Sequence, residues 1–73
     1  MQYNDFGKFI RNKRTKLNYS LNKFAFICEL EPASLSNFER GNNDIYFMNF
    51  IKIANGFSTT PAQLLSEYEK EDS

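Results

Sequence analysis

The run Pro32-Ala33-Ser34-Leu35-Ser36-Asn37-Phe38-Glu39-Arg40-Gly41 holds the side chains of this sequence with the most chemistry to offer. On a helix, Leu35 and Phe38 turn inward and leave Ala33, Ser34, Ser36, Asn37 and Arg40 facing out. An outward Asn carries a donor and an acceptor side by side, the pattern that pairs bidentately with N6 and N7 of adenine in the DNA major groove. Ala33 lies one turn before Asn37, where its methyl can touch a thymine methyl. Ser34 and Ser36 are short groups that reach a base edge or a phosphate, while Pro32 lets the helix tip come close without a hydrogen bond. Ala33, Ser34, Ser36 and Asn37 are therefore the candidate base contacts. Arg40 follows Asn37 by three residues, near the same face, and is a candidate phosphate contact. The bland alternative is polar surface, and the surrounding elements decide against it.

Those elements are two short helices joined by a tight turn across residues 20–41. This is the layout of a helix-turn-helix that offers its second helix to a major groove. Phe24, Cys28, Leu30, Leu35 and Phe38, with the small Ala25, fall where two steeply crossing helices must touch. Ser20 caps the first of them, and Pro32 sits at the first position of the second, where its missing N–H costs nothing. Glu31 is then a weak N-cap. Gly41 ends the second helix in a left-handed cap. Ser20 and Lys23, at the tip of the first motif helix, are placed to meet phosphates, because helix N-termini favour anions. Asn42 and Asn43, just past the second helix, reach toward the same backbone.

Three further helices complete an all-α chain with no strand signal, repeat or linker. The first is predicted from Asn4 or Asp5, as its cap, to about Leu17, with Phe6, Ile10 and Leu17 as its inner stripe. A fourth spans roughly Phe47 to Asn55, with Phe47, Phe50, Ile51 and Ala54 inward and Gly56 just beyond. Thr60-Pro61-Ala62-Gln63 is a capping box that opens a fifth helix carrying Leu64, Leu65 and Tyr68. The reading is one domain over residues 1–73, with an acidic end at 67–73.

From Phe6 to Leu65 the chain resembles the Cro/repressor-type, or xenobiotic-response-element, family of helix-turn-helix proteins. The matching residues are Gly7, Ile10-Arg11, Arg14, the Ser20-to-Ala25 entry, Leu35-Ser36, Glu39-Arg40-Gly41, Ile53-Ala54 and Leu64-Leu65. The resemblance implies a compact five-helix repressor-like domain, operator binding as a homodimer and no catalysis. It also implies that Arg14 and Glu39 form a partly buried ion pair between the first and third helices, a role that suits the fork of Arg better than Lys. Glu29 stands at the turn where the family usually carries Gly, which predicts turn strain. Leu21 stands where a Gln commonly opens the first motif helix, and Ile45 replaces a frequent Pro. Phe9, Phe26 and Tyr46 are aromatic where the family pattern is usually polar. Phe26 and Ile27 make the first motif helix apolar almost all round, so it packs on several sides or faces a partner.

Composition narrows the function classes. Net charge is zero, with nine basic and nine acidic residues. Their distribution is uneven: Lys8, Arg11, Lys13, Arg14, Lys16 and Lys23 have no acid among them, whereas Glu67, Glu69, Glu71 and Asp72 crowd the end. A basic segment beside the motif fits nucleic acid. Without His, and with a lone inward Cys28, no nucleophile–base pair and no metal site is expected, and no disulfide can form within the chain. No apolar run approaches a membrane span, and the start lacks the pattern of a secretory signal, so a cytoplasmic protein is expected. No cofactor and no small-molecule ligand are expected.

The function expected is a sequence-specific DNA-binding transcriptional regulator, Cro-like or a restriction–modification controller, that binds a near-palindromic operator on double-stranded DNA as a homodimer. Dimer contacts are expected from the start of the fifth helix and the Gly56-Phe57-Ser58 loop. The alternative is a protein-interaction module on the same fold, an antitoxin or anti-regulator that uses Phe26 and Ile27.

Overall fold

The computed structural model describes residues 3–41 and 46–72. They form five helices, α1 (Tyr3–Lys16), α2 (Leu21–Cys28), α3 (Pro32–Glu39), α4 (Phe47–Gly56) and α5 (Pro61–Asp72), and no strand among the described residues. Each helix sends one large side chain to full burial: Ile10, Phe24, Leu35, Ile53 and Leu64. Five helices closing on one set of aliphatic and aromatic groups is how so short a chain obtains a core.

Aromatic rings divide that core into two groups. Phe6 lies at the centre of one, with ring centroids 5.9 Å from Phe9, 5.8 Å from Phe38, 5.7 Å from Phe50 and 5.0 Å from Tyr68. The second stacks Tyr19 on Phe24 at 5.6 Å and sets Phe57 tilted against Phe24 at 4.5 Å. Phe9, a residue the family pattern leaves polar, is core here because Tyr68 of α5 lies 5.4 Å away. Leu17 is the converse case. Expected in the inner stripe, it is 51% exposed, since the chain leaves the helix at that point. Phe47 is likewise outside the core at 72% exposed, and Ile53 takes the buried position on α4.

Helix ends follow local chemistry. Ser20 Oγ accepts a hydrogen bond from the Lys23 N–H at 3.1 Å, and Thr60 Oγ1 accepts from the Gln63 N–H at 3.1 Å. Pro32 and Pro61 each open their helix. α1 already contains Tyr3, so neither Asn4 nor Asp5 is its cap. Three helices finish with the same pair of backbone bonds, in which Tyr19, Leu30 and Thr59 donate back to Arg14, Ala25 and Ala54 at 3.2, 2.8 and 2.9 Å. The residue before each donor is left-handed: Asn18 (φ 64°), Glu29 (φ 61°) and Ser58 (φ 58°). Glycine is the usual occupant of that position, and none of these three is glycine.

Gly56 is not the cap of α4 but its last residue, and it serves a different end. A Cβ there would collide with Cys28 Sγ and lie 3.2 Å from the Phe24 ring. Gly7 does the same between α1 and α3, where a Cβ would collide with the Phe38 carbonyl and lie 2.9 Å from that of Glu39. Only glycine lets α1 settle on the end of α3.

Candidate nucleic-acid interface

α3 is held from behind before it can present anything in front. Arg14, on α1, donates from Nε to Glu39 Oε2 at 2.8 Å and from Nη2 to Glu39 Oε1 at 3.0 Å. Its remaining arm, Nη1, donates to the Tyr19 carbonyl at 2.8 Å, in the turn that leads into α2. One guanidinium thus ties α1, the entry to α2 and the end of α3 together. Its pKa is raised by the hydrogen bond to Glu39, against the opposing effect of desolvation, with the Glu39 charge adding to the rise. Arg14 and Glu39 are both buried, so neither is available to a ligand.

With Leu35, Phe38 and Glu39 turned inward, α3 leaves Pro32, Ala33 and Ser34 exposed and Ser36 and Asn37 partly so. Glu31 makes no side-chain capping bond. Arg40 Nη2 donates to Asn37 Oδ1 at 2.8 Å, which joins a residue expected at a base to one expected at a phosphate. The i, i+3 spacing of the two made that contact reachable. Gly41 follows at φ 76° and ends the helix. Ser20 and Lys23 are exposed at the start of α2, and the Ser20 oxygen is already engaged as the helix cap. Asn42 and Asn43 lie outside the described residues.

No family model matches the chain. It is 36% identical over 61 residues to the control protein C.BamHI of Bacillus amyloliquefaciens, a match covering 82% of this chain and 75% of that protein. The chain belongs to the Cro/repressor-type helix-turn-helix family. Among solved structures it is similar to the restriction-modification controller protein C.AhdI from Aeromonas hydrophila. That match has a TM-score of 0.80 and 27% identity, covering 85% of this chain and 94% of that one. The clp gene regulator ClgR from Corynebacterium glutamicum shares the fold at a TM-score of 0.82 and 20% identity, over 97% of this chain and 76% of that one. The chain is a DNA-binding transcriptional regulator.

In this helix-turn-helix regulator the basic surface is narrower than the run of Lys and Arg in α1 suggests. Arg14 is spent inside. Lys13 Nζ lies 3.2 Å from Glu67 Oε2 and 5.5 Å from the centre of the Phe57 ring, which ties it to α5 and the turn before it. Lys8, Arg11, Lys16 and Lys23 remain exposed. The turn between the motif helices bends at Glu29, whose carbonyl accepts from Lys52 Nζ at 3.4 Å. Phe26 stands 83% exposed on α2, so the described residues leave it unpacked. Cys28 is buried and its thiol is pushed up to about 11 by desolvation, as befits an apolar filler. Among the described residues no cluster of His, Cys, Asp and Glu could hold a metal, and no helix is long and apolar enough to cross a membrane.

Proposed function

We propose that this regulator is the controller protein of a restriction–modification system, acting from the cytoplasm and binding a near-palindromic operator as a homodimer. The observation that carries the proposal is the 36% identity to a control protein along 61 residues, which takes in the whole motif. Two copies of α3 related by a two-fold axis enter successive major grooves about 34 Å apart. Ala33, Ser34, Ser36 and Asn37 face base edges, and Ser20 and Lys23 meet phosphates, joined by Asn42 and Asn43 past α3. Leu65, on the outward side of α5, is the apolar group from which a symmetric contact is built, with the adjoining 56–58 loop. Control then follows from protein concentration and competition at the operator, with no small-molecule signal, cofactor or catalytic step.

The test is a gel shift with the DNA upstream of the protein's own coding sequence against scrambled duplex, at two salt concentrations, paired with sedimentation at micromolar protein. Preferential retardation of the upstream DNA by a dimer supports the proposal. A strict monomer, or equal affinity for both duplexes, overturns it.

A further inference from the structure

The hydrogen bond between Arg40 and Asn37 changes what the outward edge of α3 can read. Asn37 pairs with adenine only if Oδ1 accepts from the base's N6 amino group while Nδ2 donates to N7. Here one of the two lone pairs of Oδ1 already accepts from a cation at 2.8 Å, in a charge-assisted bond. What remains of the amide is its NH₂ and a single lone pair of Oδ1. What remains of the guanidinium is four of its five N–H groups, and it has no acceptor at all. Side by side, the two side chains form an edge in which N–H donors far outnumber acceptors.

The base whose major-groove edge consists of acceptors is guanine, with N7 and O6. The Arg fork matches that pair of acceptors, and a neighbour that fixes the fork reduces the rotamer freedom lost on binding. The backbone beneath is fixed as well. Glu39, the residue before Arg40, is clamped to Arg14, and Gly41, the residue after it, turns left-handed out of the helix. Glu39 therefore faces inward and does not compete for Arg40, whose charge stays on the outward side.

We propose that Asn37 and Arg40 act as one unit that reads a guanine. Arg40 donates to N7 and O6, and Asn37 is the positioning residue that holds its fork. This assignment moves Arg40 from the phosphate to the base and Asn37 from adenine to a supporting role. It rests on the operator-binding reading above and goes further in naming the base.

The experiment selects duplexes from a randomised library with the parent protein. It then compares the selected duplex with one carrying 7-deazaguanine, which lacks only the N7 acceptor, at the guanine nearest this edge. The parent should lose roughly ten-fold or more in affinity on that single-atom change. Arg40→Ala should lose less on that duplex than on the selected one, because only the O6 acceptor is left for it there. Asn37→Asp keeps an acceptor for Arg40 and removes the NH₂. It should bind all DNA more weakly yet keep the guanine-to-adenine ratio, whereas Asn37→Ala should shrink that ratio. If Asn37→Asp abolishes discrimination at an invariant adenine, and Arg40→Ala weakens selected and random duplexes alike, the guanine assignment is overturned and operator binding stands. If the library yields no enriched sequence at all, both fall together.

Discussion

Arg14 and Lys13 are neighbours on α1, and each pairs with a glutamate far along the chain, yet the two pairs do different things. Arg14–Glu39 has side chains only 9% and 4% exposed and two N–H groups each bonded to its own carboxylate oxygen, at 2.8 and 3.0 Å. Lys13–Glu67 has side chains 29% and 37% exposed and one ammonium at 3.2 and 3.4 Å from the two oxygens. The difference follows from one step along a helix. Arg14 shares the face of Ile10 and Gly7, which lies on α3, while Lys13 is turned toward α5 and the edge of the molecule. Buried, a guanidinium with all its work done inside becomes part of the scaffold that aims α3. Half-exposed, an ammonium remains largely solvated and adds little. Basic residues in a DNA-binding protein thus divide by face, and the inward one matters to the interface without touching it.

The largest expected effect breaks the inner pair. Glu39→Gln removes the charge opposite Arg14 and should cost about 3–5 kcal/mol, enough to unfold so small a domain at ambient temperature. Thermal melts followed by far-UV circular dichroism measure it. A variant as stable as the parent would mean that the junction is held by packing alone. Gly7→Ala probes the same junction without altering charge. Its methyl meets two backbone carbonyls that cannot rotate away, and a loss of roughly 1–3 kcal/mol in urea unfolding is expected.

Lys13→Ala sharpens the contrast from the other side. A loss of about 0–1 kcal/mol is expected, falling further in high salt as the half-exposed pair is screened. A penalty equal to that of Glu39→Gln would erase the distinction drawn between the pairs. The smallest effect at neutral pH belongs to Cys28. Its thiol is raised from an ordinary value near 9 to about 11 by burial, so the unfolded chain loses its proton first as pH climbs. Folded stability should be unaffected below pH 9 and decline between about 9 and 11, because there the folded state binds more protons. Cys28→Ala should flatten that decline, and alkylation of the parent thiol should track unfolding.

Much of the fold is legible where the chemistry is local. Ser20, Thr60, Pro32, Pro61 and Gly41 mark helix boundaries because each acts on the backbone within a turn of itself, and the starts of α2, α3 and α5 and the end of α3 fall where those marks place them. Glu29 is flagged by the resemblance alone, which usually puts a Gly at that turn, and the structure makes it left-handed at φ 61°. Asn18 and Ser58 adopt the same conformation with less warning, since several residues near each could have ended the helix.

Faces are harder to read than ends. On α1, the sets Phe6, Ile10, Leu17 and Phe6, Phe9, Ile10 both fit a helical stripe. What chooses between them is Tyr68, which arrives from the far end of the chain and covers Phe9, while Leu17, past the last residue of α1, stays 51% exposed. Gly56 illustrates the same limit. Its place after an apolar run suggests a cap, but the close approach of α2 to α4 makes it a spacer against Cys28 and Phe24.

The sequence by itself determined the number and order of the helices, the motif at 20–41, the inward Leu35 and Phe38 and the outward Ala33, Ser34, Ser36, Asn37 and Arg40. Capping and helical periodicity act over a few residues, and that range is written directly in the chain. Only the tertiary structure decided which basic residues remain for a ligand, which aromatic groups are core, and that Asn37 and Arg40 meet. Each of those depends on which distant element covers a side chain or on which of several rotamers its surroundings select.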